Sequence, residues 1–232
     1  MTQPSLDARW PKVLSLAVHE FRTPMTVVAG YIRMLLKERA GPLNDQQRKL
    51  LEEAEKSCGR LSALVAEMSD LSSLEAGTAP LKRTTVNVAA LLEEAIAALP
   101  PLQDRDVHVE LQHSAPAPVE GDPVRLRTAL LSVLMALRRE LVTTDRLLVR
   151  LGHADVDGVA SVVLAIGDHA QIDTIASADP AGLTGFDEWR GGCGLSLGNA
   201  RRIIGQHGGT LRSPPDEGKA GAVVTLPALR QG

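Results

Sequence analysis

An all-α helical hairpin followed by an α/β domain is the fold that the sequence predicts, and three observations predict it. Apolar residues recur at alternating spacings of four and three along two stretches before Gly77. From Val107 onward, short β-like runs alternate with helical ones. Between the two regimes Gly and Pro cluster, at Gly77, Pro80, Pro100, Pro101 and Pro116. A change of hydrophobic period marks a change of layer architecture, and Gly and Pro punctuate it. The boundary therefore falls in Gly77–Arg83, with one domain over 1–78 and a second over 84–229.

In the first helix Leu14, Val18, Phe21, Met25, Val28, Ile32 and Leu35 form a coiled-coil-like seam. Leu50, Ala54, Ser57, Leu61, Leu64, Met68 and Leu71 repeat it in the second. Between them, Gly41-Pro42 stops the first helix, and Asn44 or Asp45 caps the next. Two helices cannot enclose a core of that length. Pairing with a second copy into a four-helix bundle completes it.

The second domain starts with a helix over Val88–Leu99 and a strand over Val107–Leu111. A helix follows over Asp122–Glu140, with Pro123 in its first turn, where a missing N–H costs nothing. Arg146–Leu151 and Val159–Ile166 read as strands, and Asp168–Arg190 as loop. Leu195–Gln206 is a helix ended by His207-Gly208-Gly209, and Thr210–Arg212 and Ala222–Leu226 are the last strands. Pro214–Gly218 turns between them. Helices and strands mixed in this way make a sheet covered on one face.

Composition excludes several functions. The 232 residues are 44% hydrophobic and carry 25 Lys+Arg against 28 Asp+Glu, a formal charge of −3. That balance argues against a nucleic-acid partner held through phosphates. Two Trp, two Phe and one Tyr are too few for a base-stacking platform. Cys58 and Cys193 make no disulfide framework and no zinc site, which fits a reducing, cytoplasmic compartment. No apolar run reaches the length of a membrane span, and the first residues lack a signal-peptide pattern. A sensing part for an outside signal is expected to lie elsewhere.

The chemistry concentrates in His19-Glu20-Phe21-Arg22-Thr23-Pro24. Helical geometry sets His19 beside the seam, within reach of solvent, with Thr23 one turn further on the same face. Pro24 has no N–H and frees the carbonyl of Glu20. A neutral imidazole is a nucleophile, a neighbouring carboxylate can take its proton, and a hydroxyl can hold a water. A surface histidine on an amphipathic helix is the bland alternative, but it leaves the interior proline unexplained. A second candidate is Gly191-Gly192-Cys193-Gly194-Leu195-Ser196-Leu197-Gly198, where glycines let backbone approach a phosphate ahead of a helix N-terminus. A plain turn into a helix is its alternative. The third is Asp168, at the end of the apolar run Val163–Ile166, either a hydrogen-bond acceptor facing a ligand or the start of a turn.

The His19–Pro24 hexapeptide resembles the phosphoacceptor box of sensor histidine kinases. The resemblance implies that His19 accepts the γ-phosphoryl group of ATP and passes it to an aspartate of a response regulator receiver domain. It implies Glu20 as the acid/base residue and Thr23 as the group that orients water when the regulator is dephosphorylated. The Gly191–Gly198 string, its helix and the His207-Gly208-Gly209 exit resemble the second glycine box of the GHKL-type ATP-binding domain. Gly221–Pro227 resembles the closing strand of that domain and Phe186 its phenylalanine box. The implied fold is an α/β sandwich of the GHKL ATPase type, and the implied cofactors are ATP and Mg²⁺. Asp168 then receives the adenine amino group, Arg139 stands where a phosphate-contacting lysine is common, and Gly192, Gly194 and Leu195 line the phosphates.

The sequence departs from that pattern at the nucleotide site. Ser132 and Ala136 occupy the places of two asparagines, the second of which normally ligates Mg²⁺. Glu140, one turn on, carries the nearest alternative oxygen. Ala170 and Ile172 replace two glycines after Asp168, so that loop must take another path. No residue is assigned as a metal ligand. Two functions follow: a dimeric histidine kinase that phosphorylates His19 from ATP and passes the group on, and, as the alternative, an ATP-impaired relative acting as phosphotransfer protein, phosphatase or scaffold.

Overall fold

Helix α1 (Leu6–Leu36) and helix α2 (Asp45–Glu75) lie antiparallel, and the Ser72 hydroxyl donates to the Pro11 carbonyl at 2.8 Å across their far end. The computed structural model describes residues 6–78, 80–102, 104–141, 144–179, 182–187, 194–214 and 221–229, without the side chains of 6–9. The chain divides into two units, Met1–Ala79 and Pro80–Gly232.

The hairpin turn is built from hydrogen bonds that its sequence supplies. Glu38 takes the left-handed conformation (φ 55°), the Glu38 N–H donates to Leu35 O and the Arg39 N–H to Met34 O. That pair of bonds satisfies the last carbonyls of α1. Asn44 then caps α2 by a reciprocal pair of bonds with Gln47, at 2.8 and 3.0 Å. Asn44→Ala is expected to lower the stability of the chain by about 1 kcal/mol, read as a shift of the urea midpoint at unchanged slope.

The two seams are not single stripes. Leu14, Val18, Ala29 and Ile32 are buried against α2, whose Val65 and Leu74 are buried in return. Phe21, Val28, Leu50, Leu61 and Leu64 of the same expected seams are exposed. Within one chain, a helix of a hairpin buries one flank against its neighbour. The other flank, with Trp10, Leu16 and Tyr31, stays uncovered.

The second unit begins with a two-stranded antiparallel ribbon, β1 (Thr84–Asn87) on β3 (Pro118–Gly121). Its main sheet has six strands in the order β2 (His108–Gln112), β4 (Arg146–Val156), β5 (Val159–Asp168), β8 (Gly221–Pro227), β7 (Thr210–Ser213), β6 (Thr184–Gly185). The β2–β4 pair is parallel and the others antiparallel. Helix α3 (Val88–Ala97) packs on α4 (Pro123–Glu140), and α4 on α6 (Leu195–Gln206). The core is aliphatic: Leu92, Leu126, Leu130, Leu134, Leu137, Leu164, Ile166, Leu197, Ile204 and Leu226 are almost wholly buried. This is helices layered on a sheet, the expected α/β sandwich.

Two corrections follow. The stretch expected to be loop, Asp168–Arg190, contains helix α5 (Ile172–Ser177) and strand β6. Ile172 and Ile175 of α5, with Leu183, bury against Leu148, Ala165 and Val223, so the second face of the sheet is covered here too. Arg150 Nη1 on β4 reaches Asp173 Oδ1 on α5 at 2.6 Å. Six residues are too short a helix to declare themselves by periodicity, and tertiary burial makes this one. Strand β4 also runs further than expected, to Val156, and β5, which starts at Val159 as expected, runs on to Asp168; the hairpin closes through Asp157 and Gly158, both with positive φ.

A buried clasp joins the start of the second unit to α4 and α6. Asp122 caps α4: Oδ1 accepts from the Arg125 N–H at 3.1 Å and Oδ2 from the Lys82 N–H at 2.9 Å. The Asp122 N–H donates to His207 Nε2 at 2.9 Å, and His207 Nδ1 lies 2.7 Å from the Ile203 carbonyl. A backbone N–H can only donate, so Nε2 accepts and Nδ1 carries the proton. Burial pushes the His207 pKa below its ordinary value, with Arg83 and Arg125 in the same direction and Ile203 and Asp122 opposing. A depressed folded pKa means that this ring supports the fold above its unfolded pKa, about 6.5, and withdraws that support as pH falls below it. The urea midpoint of the wild type is expected to fall as the pH drops below about 6.5, and His207→Gln to flatten that slope. Burial raises the Asp122 pKa, but the Lys82 and Arg125 N–H bonds outweigh it and the net shift is downward. Loss of the Asp122 contribution therefore belongs to a separate, more acidic window.

Candidate functional site

In the hairpin unit, α1 carries the histidine outward. The helix continues unbroken through Pro24, and His19 lies on its exposed side, its side chain 78% accessible. Glu20 Oε1 stands 3.5 Å from His19 Nδ1, and its side chain is 70% accessible. A carboxylate beside Nδ1 favours the tautomer protonated there, leaving the Nε2 lone pair directed away as the nucleophile. Thr23 is exposed one turn on, and nearby the Thr26 hydroxyl donates to the Arg22 carbonyl at 2.8 Å. Thus His19, Glu20 and Thr23 share one exposed stretch of helix, with the ring open to solvent.

In the α/β unit the expected nucleotide residues sit on three elements. Asp168 ends β5, partly buried; its Oδ1 accepts from the Gln171 N–H at 2.9 Å, which closes a turn into α5. Neither Ala170 nor Ile172 adopts a positive φ, so the turn dispenses with the glycines by folding directly into helix. Arg139 is exposed in the last turn of α4, where its carbonyl accepts from Arg105 Nη2. Gly194 is the cap residue of α6 (φ 53°, ψ −128°), a conformation that disfavours any side chain, and no side chain caps the helix there. Leu195 is its first residue. Gly192 lies outside the described residues, as does Cys193. Phe186 is buried in the unit's core.

Two residues went unnoticed in the sequence. Gln171 has a buried amide oxygen with no hydrogen-bond partner, beside the turn that holds Asp168. Arg138 is buried at the end of α4 with its guanidinium on the Pro100 carbonyl, tying the loop before β2 to the helix. Neither is legible from a pattern, since an isolated Gln or Arg normally reads as surface. Among the described residues no three His, Cys, Asp or Glu side chains gather as a metal site. No described helix is long and apolar enough to cross a membrane.

The His Kinase A (phospho-acceptor) domain family matches residues 12–77. Among curated proteins, the chain is 27% identical over 211 residues to the sensor histidine kinase GacS of Pseudomonas protegens, covering 86% of this chain and 23% of that protein. It is 26% identical over 206 residues to the circadian input-output histidine kinase CikA of Synechococcus elongatus, covering 86% of this chain and 27% of that one. The chain thus spans about a quarter of these relatives. Among solved structures, full-length ShkA in complex with AMPPNP superposes with a TM-score of 0.68 at 23% identity, over 96% of this chain and 47% of that one. Acinetobacter baumannii histidine kinase AdeS superposes with a TM-score of 0.53 at 20% identity, over 92% and 98%. These superpositions speak to the fold. An exposed histidine thus lies on a helical hairpin that matches the His Kinase A (phospho-acceptor) domain family, a helix-layered sheet follows it, and over most of its length the chain is similar to sensor histidine kinases.

Proposed function

We propose that the chain, as a homodimer, takes the γ-phosphoryl group of ATP onto His19 and delivers it to an aspartate of a response regulator receiver domain. The observation that carries this reading is the open His19 ring with Glu20 on its Nδ1 side, inside the matched phospho-acceptor domain. The Nε2 lone pair attacks the γ-phosphorus, the bond to the ADP oxygen breaks, and the imidazole becomes cationic. Glu20 stabilises that cation or removes the Nδ1 proton. In the second step the receiver carboxylate attacks the phosphoramidate and His19 leaves as neutral imidazole. Thr23 is suited to holding the water that hydrolyses the receiver's phosphoaspartate.

The nucleotide roles are part of the same reading. Asp168 offers a carboxylate to the adenine amino group, and Arg139 a cation to the phosphates. Gly194 and Leu195 open α6 toward the phosphates, an end with no side-chain cap, and Gly192 enters the same reading only through the resemblance of its glycine string. The apolar flank of the hairpin, including Leu16, Phe21, Val28 and Leu64, supports pairing with a second copy, which would bury it. The resemblance also implies Mg²⁺, but the donors on α4 do not fit that ion, and no step is assigned to it.

The test is incubation with ATP labelled in its γ-phosphate. The reading expects label on the protein that survives alkali, is lost in acid, and disappears when a receiver domain is added. Label that is stable in acid, or that no receiver domain accepts, overturns it.

A further inference from the structure

His207 is the one buried histidine among the described residues, and the phosphoryl chemistry makes no use of it. It ends α6 and faces the head of α4. Its seat is built closely around the neutral ring. Nε2 accepts from the Asp122 N–H at 2.9 Å, and Nδ1, 2.7 Å from the Ile203 carbonyl, donates to it. Gly121 lets the ring lie against backbone, since a Cβ there would stand 2.9 Å from His207 Cδ2. Burial holds the ring neutral in that seat. Arg83 and Arg125 act in the same direction, and the Ile203 carbonyl and the Asp122 carboxylate oppose them.

The same seat fastens the chain where it enters the α/β unit. Asp122 Oδ2 accepts from the Lys82 N–H at 2.9 Å, and Arg83 Nη2 donates to the Gln206 carbonyl at 2.8 Å. Lys82 is thus tied to the residue whose own N–H His207 holds, and Arg83 to the residue just before His207. A proton on Nε2 ends this arrangement. The ring then carries donors on both nitrogens, and Nε2–H would point at another donor, the Asp122 N–H.

A second seat is at hand. A cavity of about 440 Å³ opens beside the ring, lined by His207, Arg83, Glu120, Gly205, Gln206 and Gly208. It lies at the C-terminal end of α6, where helix carbonyls favour a cation. Its acid is Glu120, exposed on β3. Arg83, the other cation on its wall, is bonded to Gln206. The chain after β8 completes the wall with Pro227, Ala228 and Leu229 and brings no charge.

We propose that His207 is a proton-operated latch on the entry to the α/β unit. Neutral, the ring holds the Asp122 N–H and keeps Lys82 and Arg83 fastened. On taking a proton from solvent at Nε2, it leaves that seat for the cavity, faces Glu120 and slackens the entry segment. A ring with two seats of different charge preference is what a pH switch requires. Unlike the loss of overall stability in acid, the latch opens while the sheet stays folded.

The experiment is amide hydrogen exchange of the isotope-labelled full chain, followed by NMR across pH and in low urea. Protection of the Asp122 and Lys82 amides is expected to fall about tenfold between about pH 7.5 and about pH 5.5, because a released ring titrates near its ordinary value, about 6.5. Exchange at these amides should not respond to urea, since opening the latch exposes little surface. His207→Gln should remove the pH dependence. Glu120→Gln, which leaves the closed seat untouched, should reduce the fall by about threefold. It tests the latch even where His207→Gln does not fold. Protection that stays flat with pH in the wild type overturns the proposal, as does an unchanged fall in His207→Gln. Exchange that rises with urea as steeply as at the buried Leu164 and Ile166 of β5 also overturns it, because release then requires unfolding of the unit. An unchanged fall in Glu120→Gln overturns the cavity as the second seat.

Discussion

His19→Gln is expected to leave no phosphoryl group on the chain, whether the donor is ATP or a phosphorylated receiver domain. Glutamine keeps the size and polarity of the side chain but offers no nucleophilic nitrogen, so the whole bond-forming step is lost rather than slowed. The ring is 78% accessible, so stability should stay within about 0.5 kcal/mol of wild type. That separation of chemistry from fold is what makes the variant decisive. Glu20→Gln should retain a labelled product but slow its formation by about 100-fold or more, the usual scale for a positioned acid/base group. Thr23→Ala should accept phosphate as wild type does and fail only in dephosphorylating the receiver. Unchanged labelling in His19→Gln would move the acceptor to another of the six histidines, and the exposed His108 or His153 would be examined next. Intact-mass measurement of the alkaline reaction separates these outcomes, since each phosphoryl group adds a fixed mass.

How far the sequence alone reaches depends on whether a feature is local. The hairpin turn is local: Gly41-Pro42 and the Asn44–Gln47 capping box lie within a few residues of one another, and the helices end and begin around them. The His19–Glu20 pair is local too, one residue apart on a helix whose exposed side the pattern already indicates. Strands β1 and β3 are the opposite case. Each has four residues, and each exists because it pairs with a partner more than thirty positions away. Four residues hold too little alternation to stand out. Helix α5 is likewise made by its contacts, through Ile172, Ile175 and the Arg150–Asp173 pair. At the nucleotide site the missing donors were legible as Ser132 and Ala136. The turning back of the Ser132 hydroxyl, the pinning of Arg138 and the orphaned Gln171 oxygen were not, because each depends on where a side chain points.

Gly209→Ala should cost the α/β unit about 3 kcal/mol or more, a large effect for a single methyl group. A Cβ at this position would sit 2.1 Å from the carbonyl oxygen of Thr225, 2.9 Å from Leu226 Cδ2 and 3.0 Å from Ile204 Cγ2. The first contact is with backbone, which cannot rotate away as a side chain can. Relief would require β7 to move off β8, yet Thr210 and Thr225 are paired in that ladder and the Thr210 N–H also donates to Thr225 Oγ1 at 3.1 Å. It would also loosen the end of α6, where the Gly209 N–H donates to the Ile204 carbonyl at 3.0 Å and His207 holds Asp122. One methyl group therefore strains the sheet and the clasp that joins α4 to α6. For a unit of this size that cost corresponds to a fall in the melting midpoint of about 6–12 °C, followed by circular dichroism at neutral pH, where His207 is uncharged. If the Gly209→Ala variant instead melted within about 2 °C of wild type, β7 and β8 would have to stand further apart than their observed pairing.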